Sequence, residues 1–178
     1  LSQQLLYSGG LVATDFHIAN LFTYQFLHGD WWHVLGNMIF LWPFGRAVED
    51  RIGHVGFAAL FLGCGAIAGV GHVLFSAAPV IGASGSVCAV TAAFVALAPR
   101  THVRVLLVFF IIGIYSIPSL WLVGLYIAFD AMSLLGDVGG NTGGGVAWVA
   151  HLAGYGSGFA MAMGLLMTGI VPRGDFDI

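Results

Sequence analysis

Long apolar segments with almost no charged side chains are the feature that most restricts what this chain can fold into. Hydrophobic residues make up 59% of the 178 residues and charged residues only 7%, whereas soluble domains average about 25% charged residues. A chain this apolar cannot cover itself with a polar surface in water. The sequence therefore predicts an all-α fold, a polytopic bundle of transmembrane helices forming one membrane domain over residues 1–178.

Five predicted spans follow from the rule that a spanning helix needs roughly 20 mainly apolar residues. Residues 1–30 are predicted to form an outer N-terminal segment and loop, and residues 31–171 the transmembrane helices. Pro118 interrupts one long apolar stretch, so Val105–Ile117 is predicted to be a bent or interfacial piece. Gly139–Gly145 is predicted to be a mobile loop. The spans are about Trp31–Phe44, Val55–Phe75, Ser84–Leu97, Ser119–Leu135 and Val146–Val171.

The basic residues orient this arrangement. If successive spans alternate in direction, all five basic residues lie on one side of the membrane, and the opposite side has no Lys or Arg in its loops. Basic residues favour the cytoplasmic side. The sequence therefore predicts a multi-pass protein of the cell (inner) membrane, with Ser84 and His151 near the non-cytoplasmic side. The basic residues are Arg46, Arg51, Arg100, Arg104 and Arg173.

Charge and cysteine content bear on other classes of protein. The net charge is −3 and no basic cluster occurs, so nucleic acid is not a predicted partner. Cys64 and Cys88 both lie in apolar runs and are interpreted as buried thiols that pack as small hydrophobic side chains.

Two side chains of catalytic type lie near the outer ends of their predicted spans. Ser84 opens the third span, and His151 lies about one turn into the fifth. At about 1.5 Å of rise per residue, both belong to the outer third of the membrane. Histidine in a spanning helix is a functional candidate, whereas serine alone often only permits close packing. Their matched depth predicts a serine nucleophile with an imidazole base.

Small residues spaced four apart lie beside both side chains. Gly85 and Ala89 form one such stripe, and Gly154 and Gly158 form the other. Stripes of this kind let two helix backbones approach closely. Helix packing is therefore predicted in either case, and the same packing would bring Ser84 to His151.

His33 and Asn37 form a second polar pair, four residues apart on one face of the first predicted span. Acyl transfer creates an oxyanion, and preorganised hydrogen-bond donors around it lower the barrier. An imidazole N–H and a side-chain amide suit that role, so the pair is predicted to stabilise the oxyanion. The alternative is that both side chains only hydrogen-bond neighbouring helices.

Rival chemistries lack the residues that they need. Glu49 is the only glutamate, so an HExxH zinc site is impossible. Asp130 is the only aspartate within a predicted span, so a pair of intramembrane aspartates is missing. The segment Gly82–Ser86 (GASGS) lacks the final glycine of GxSxG. Serine–histidine chemistry remains, and His72 and Asp130 are interpreted as buried and paired, or near an interface.

Taken together, these residues resemble the rhomboid family of intramembrane serine proteases. The matching elements are Gly82–Gly85 (GxSG), His33–Asn37 (HxxxN), His151–Gly158 (HxxGxxxG) and the run Phe26–Arg51. The resemblance implies a Ser84–His151 dyad without a catalytic aspartate, and an oxyanion hole from His33, Asn37 and the Ser84 backbone N–H. It also implies cleavage of transmembrane proteins near the outer membrane surface, within membrane lipid and without metal or cofactor.

Two departures from the family pattern affect what we expect. The family core usually has six helices and five are visible here, so its first helix is expected upstream of Leu1, in a longer chain. An aromatic residue often follows the family's serine by four positions and packs on the catalytic imidazole. Cys88 occupies that position here. We therefore expect either a less rigidly held base or a substitute for the aromatic ring.

Two further functions stay open beside the protease. A catalytically inactive rhomboid-like module would bind transmembrane clients, although such relatives commonly lose the serine or histidine that this chain keeps. A transporter would need a polar path through the membrane, whereas the polar groups cluster at the outer end. For the protease, Gly136–Gly145 is predicted to cap the site, and the fourth span to be where substrates pass laterally. The sequence leaves the oligomeric state open.

Overall fold

The computed structural model describes residues 9–107, 113–138 and 147–172. Short 3₁₀ turns at Ala13–Asp15 and Tyr24–Phe26 accompany a first short helix. The main elements are α1 (Asn20–Thr23), α2 (Trp31–Phe75), α3 (Ser84–Leu97), β1 (His102–Leu107), β2 (Gly113–Pro118), α4 (Ser119–Val138) and α5 (Trp148–Met167). Within the described residues, α2, α4 and α5 are long and apolar enough to cross a membrane. The predicted helical membrane bundle is confirmed.

Helix α2 contains the first two predicted spans, joined at a kink. A straight helix of its 45 residues would be about 68 Å long, roughly twice the thickness of a bilayer core. Gly53 has non-helical dihedral angles (φ 73°, ψ 168°) that favour glycine and divide α2 into two arms. The first arm brings Phe44 against Phe94 near the end of α3. The second arm returns to the start of α3, where Gly65 lies against Ser86.

The centre of the bundle is α3, whose residues from Gly85 to Leu97 are all buried. Helix α5 packs against it through the predicted small-residue stripes. The α-carbons of Gly154 and Gly158 lie so close to the carbonyl oxygens of Gly85 and Ala89 that a Cβ on either would overlap the backbone. This close approach fixes the relative position of the helices that carry Ser84 and His151.

The segment Val105–Ile117, predicted to be a bent or interfacial piece, is β-strand in its described parts. These parts belong to the antiparallel pair β1–β2, in which Val105 lies opposite Tyr115. Alternating β-branched side chains such as Val103 and Val105 favour strand. Pro118, which cannot donate a ladder hydrogen bond, ends β2, and α4 begins immediately after it as predicted.

Arg51 ties together three chain segments at the end of the bundle opposite Ser84. Its guanidinium donates to the carbonyl oxygens of Leu97 (3.3 Å) and Pro172 (2.9 Å). The kink of α2, the end of α3 and the residues after α5 therefore meet there, as the predicted alternation of spans requires. The predicted loop Gly139–Gly145 and Arg173 lie outside the described residues.

Candidate active site

One cavity of about 960 Å³ contains all four predicted site residues. It lies between the first arm of α2, the start of α3, and helices α4 and α5. Ser84, His151, His33 and Asn37 all contribute to its lining. The structure therefore brings together side chains from three separate helices, at the end of the bundle where the sequence places them.

Ser84 is the first residue of α3 and is half-buried at the cavity. The N–H groups in the first turn of a helix have no partner within the helix, so at the start of α3 they are hydrogen-bond donors directed toward the cavity end of the bundle. Ser86, two residues later, is fully buried, and its hydroxyl donates to Gln25 Oε1 at 2.9 Å. Of these two serines, Ser84 is the one that the cavity exposes.

Gly82 shapes the turn before Ser84. Its φ of 116° belongs to a region that side chains rarely adopt. A Cβ added there would lie 2.6 Å from both Cε1 and Nε2 of His33. The turn thus passes directly beside the His33 imidazole, and both its backbone conformation and this approach require glycine.

His151 is held by two neighbours. Its Nδ1 lies 3.0 Å from Asp130 Oδ2 on α4, and only 15% of the His151 side chain and 9% of the Asp130 side chain are exposed. Trp148 packs against the imidazole in a T-shaped arrangement, with ring centroids 5.9 Å apart. When Nδ1–H donates to the carboxylate, Nε2 keeps its lone pair and can accept a proton. This pairing of His151 is the arrangement that a general base needs.

Asp130 is the site residue that sequence reasoning missed. The sequence interpretation of Asp130, buried and paired or near an interface, does not name a partner; the structure shows Asp130 buried and paired with His151. The available signal was that an ionisable residue inside a spanning helix is a functional candidate by default. The sequence does not show that Asp130 and His151, 21 positions apart, face each other.

Cys88 occupies the position where the family often has an aromatic residue. Its thiol is buried beside the side chain of Tyr155, which also interacts with Asp130. The aromatic ring that packs against the His151 imidazole is that of Trp148, which lies on α5 itself. Of the two expectations stated for this departure, the structure favours a substitute for the missing ring.

Asn37 is buried, and its Nδ2 lies 2.9 Å from Nε2 of His28. The His28 and His33 rings meet edge to face, with centroids 5.0 Å apart. Asn37 and His33 thus line the cavity while belonging to a small polar cluster with His28. Both alternatives stated for the pair, oxyanion donors and structural partners, fit these contacts.

The fold and the site together define a class: a helical membrane protein with a cavity lined by serine and histidine side chains at one end of its bundle. The family model described as Rhomboid domain matches residues 15–168. The chain belongs to the rhomboid family. A comparison with curated proteins finds no significant match.

Proposed function

We propose that this protein is an intramembrane serine endopeptidase that cleaves transmembrane proteins. The observation that carries the proposal is the cavity shared by Ser84 and a histidine whose Nδ1 is paired with a buried carboxylate. That pairing leaves Nε2 as the only ring nitrogen able to take the serine proton. The family membership supports the same chemistry.

In the proposed reaction, Ser84 Oγ bonds to the scissile carbonyl carbon while its proton passes to His151 Nε2. The imidazolium, stabilised by Asp130, then gives this proton to the amide nitrogen as the C–N bond breaks. Water hydrolyses the resulting ester, with His151 again accepting and returning one proton. Asp130 is a positioning residue, so the proposal adds a carboxylate to the dyad that the resemblance implies.

A mechanism-based probe tests whether Ser84 is an activated nucleophile. A fluorophosphonate should react with the purified protein, and peptide mass spectrometry should place the adduct on Ser84. Ser86 is the internal control, since its hydroxyl is buried against Gln25 and should stay unmodified. If the protein binds transmembrane segments but never reacts with the fluorophosphonate, it is instead the catalytically inactive rhomboid-like module.

The free N–H groups at the start of α3, with His33 and Asn37, are proposed to stabilise the oxyanion. Asn37→Ala should then lower kcat by up to about 10²–10³-fold, the cost of one lost donor. A smaller loss is expected if His33 and the Ser84 N–H compensate. Cleavage kinetics and thermal unfolding of the variant, measured together, check this.

His28→Ala is the control, because it removes the observed partner of Asn37 while leaving its amide in place. If Asn37→Ala unfolds the protein without a specific loss of kcat, the cluster is structural and the oxyanion role is wrong.

The proposed orientation follows the basic residues, with the Arg51 end of the bundle in the cytoplasm. The cavity of Ser84 and His151 lies at the opposite end and therefore opens toward the non-cytoplasmic side. Substrate segments would be cut near that surface, where water reaches the cavity.

Helix α4 is proposed to move aside when a substrate approaches laterally. Most of its large side chains are exposed, among them Trp121, Leu125 and Met132. An apolar cavity of about 410 Å³ separates parts of α4 from α3 and α5. Toward the first arm of α2, the contact includes Phe40 and Tyr126, whose ring centroids lie 5.0 Å apart. Few contacts need to break for α4 to swing outward.

Joining α4 to α2 should therefore block turnover. We expect a protein with Phe40→Cys and Tyr126→Cys, linked by a short reagent that carries two thiol-reactive maleimide groups, to lose cleavage of a transmembrane substrate while still reacting with a small fluorophosphonate. Each single-cysteine variant treated with the same reagent is the control. Full cleavage by the linked protein would show that substrates reach the site by another route.

A further inference from the structure

Cys88, Asp130 and His151 form a cluster in which the protease mechanism uses Asp130 and His151 but gives Cys88 no role. One ligand atom from each of the three lies within 4.8 Å of the others, and the residues come from α3, α4 and α5. We propose that this cluster is an inhibitory zinc site. The bound metal would prevent His151 from accepting the proton of Ser84.

The donor set suits zinc. Thiolate, imidazole and carboxylate are its usual protein ligands, at about 2.0–2.3 Å from the metal. Two donors at those distances in a tetrahedral site lie about 3.3–3.8 Å apart. The ligand atoms lie within 4.8 Å of one another, so each pair needs to close by about 1.5 Å at most, and the His151–Asp130 separation is already 3.0 Å.

Charge and access also fit a divalent cation. Cys88 and Asp130 are buried, and a Cys88 thiolate together with the Asp130 carboxylate would neutralise two positive charges away from bulk water. On binding, the Cys88 thiol releases its proton to solvent. All three residues line the open cavity, so the metal can reach them and keep a water molecule in its fourth position.

Zinc and catalysis exclude each other at this site. Coordination through Nε2 would occupy the lone pair that accepts the Ser84 proton. Coordination through Nδ1 would leave the imidazole proton on Nε2, with the same result. Metal binding itself does not depend on the protease activity; only the inhibition rests on the proposed function.

Cobalt(II) is the probe for binding, because it replaces zinc in such sites and absorbs visibly. The full protein in detergent, titrated with Co²⁺, should show a near-ultraviolet thiolate-to-cobalt charge-transfer band with a stoichiometry of one. Cys88→Ser should abolish this band. Cys64→Ser is the matched control and should keep it, since Cys64 is also buried but its thiol contacts Met161.

Zinc should also inhibit cleavage, with each variant compared with its own metal-free rate. Losing even an outer-shell partner costs about 10–100-fold in metal affinity, so Cys88→Ser should raise the half-inhibiting zinc concentration at least that much. Asp130→Asn, measured by cobalt absorbance, is the second variant if Cys88→Ser does not fold, and it should weaken binding similarly.

Three results would overturn the proposal: no charge-transfer band in the unaltered protein, a band that survives Cys88→Ser, or cobalt affinity that Asp130→Asn leaves unchanged. Cobalt binding without any protease activity would contradict the proposed function and leave the metal site standing.

Discussion

Purified protein carrying Ser84→Ala is expected to cleave a reconstituted transmembrane substrate at least about 10⁴-fold more slowly than the unaltered protein. His151→Ala should cause a loss of the same order. Both side chains line one cavity, and the proposed mechanism joins them in a single unit, so the loss of either should stop proton transfer and attack together. Combining the two changes should therefore cost little more than either alone.

Ser86→Ala is the matched control for the nucleophile. It removes a hydroxyl two positions away in the same helix, where the group bonds Gln25 and does not face the cavity. Its loss leaves the buried Gln25 Oε1 without this donor, so it should reduce stability by about 1–3 kcal/mol and leave the turnover of folded protein unchanged. Retained activity in Ser84→Ala, measured on protein free of other proteases, would end the serine-protease proposal.

Asp130→Asn is expected to have the second-largest effect, a fall in kcat of about 10²–10⁴-fold, with the upper end matching the loss of the carboxylate from soluble catalytic triads. An amide is nearly isosteric, but its NH₂ group can donate to Nδ1 and favour the wrong tautomer of His151. Because the proposed role of Asp130 is to position His151, KM should change far less than kcat, and fluorophosphonate labelling of Ser84 should slow in parallel.

Asp15→Asn tests whether the effect belongs to the site, because Asp15 forms an exposed pair with His17 at 3.2 Å. Breaking that pair should leave kcat, KM and the unfolding temperature unchanged. If Asp130→Asn lowers the unfolding temperature but keeps kcat, the carboxylate supports only the packing of α4, and the dyad acts without it.

Features that depend on local spacing could be predicted from the sequence. The apolar runs predicted the helices, the small-residue stripes predicted the contact between α3 and α5, and depth along each helix predicted that Ser84 and His151 lie near the same end. These inferences need only the rise of a helix and the size of side chains.

Features that depend on pairing between distant elements could not be predicted in the same way. The sequence does not predict the strands β1 and β2, because a short apolar run with β-branched residues is compatible with a buried helix as well as with a strand. Asp130 was recognised as buried, but its partner depends on the rotation of α4 about its axis, which no pattern in the sequence fixes.

The bond between Asp130 and His151 joins α4, most of whose large side chains are exposed, to α5. The outward movement proposed for α4 would break this bond, so an open bundle and an imidazole aligned by Asp130 would exclude each other. In the proposed reaction, each turnover would then admit a segment first and align His151 only after α4 returns. A segment that diffuses away before this realignment leaves uncut, so the protein would select substrates by how long they stay and not only by the residues around the cleaved bond.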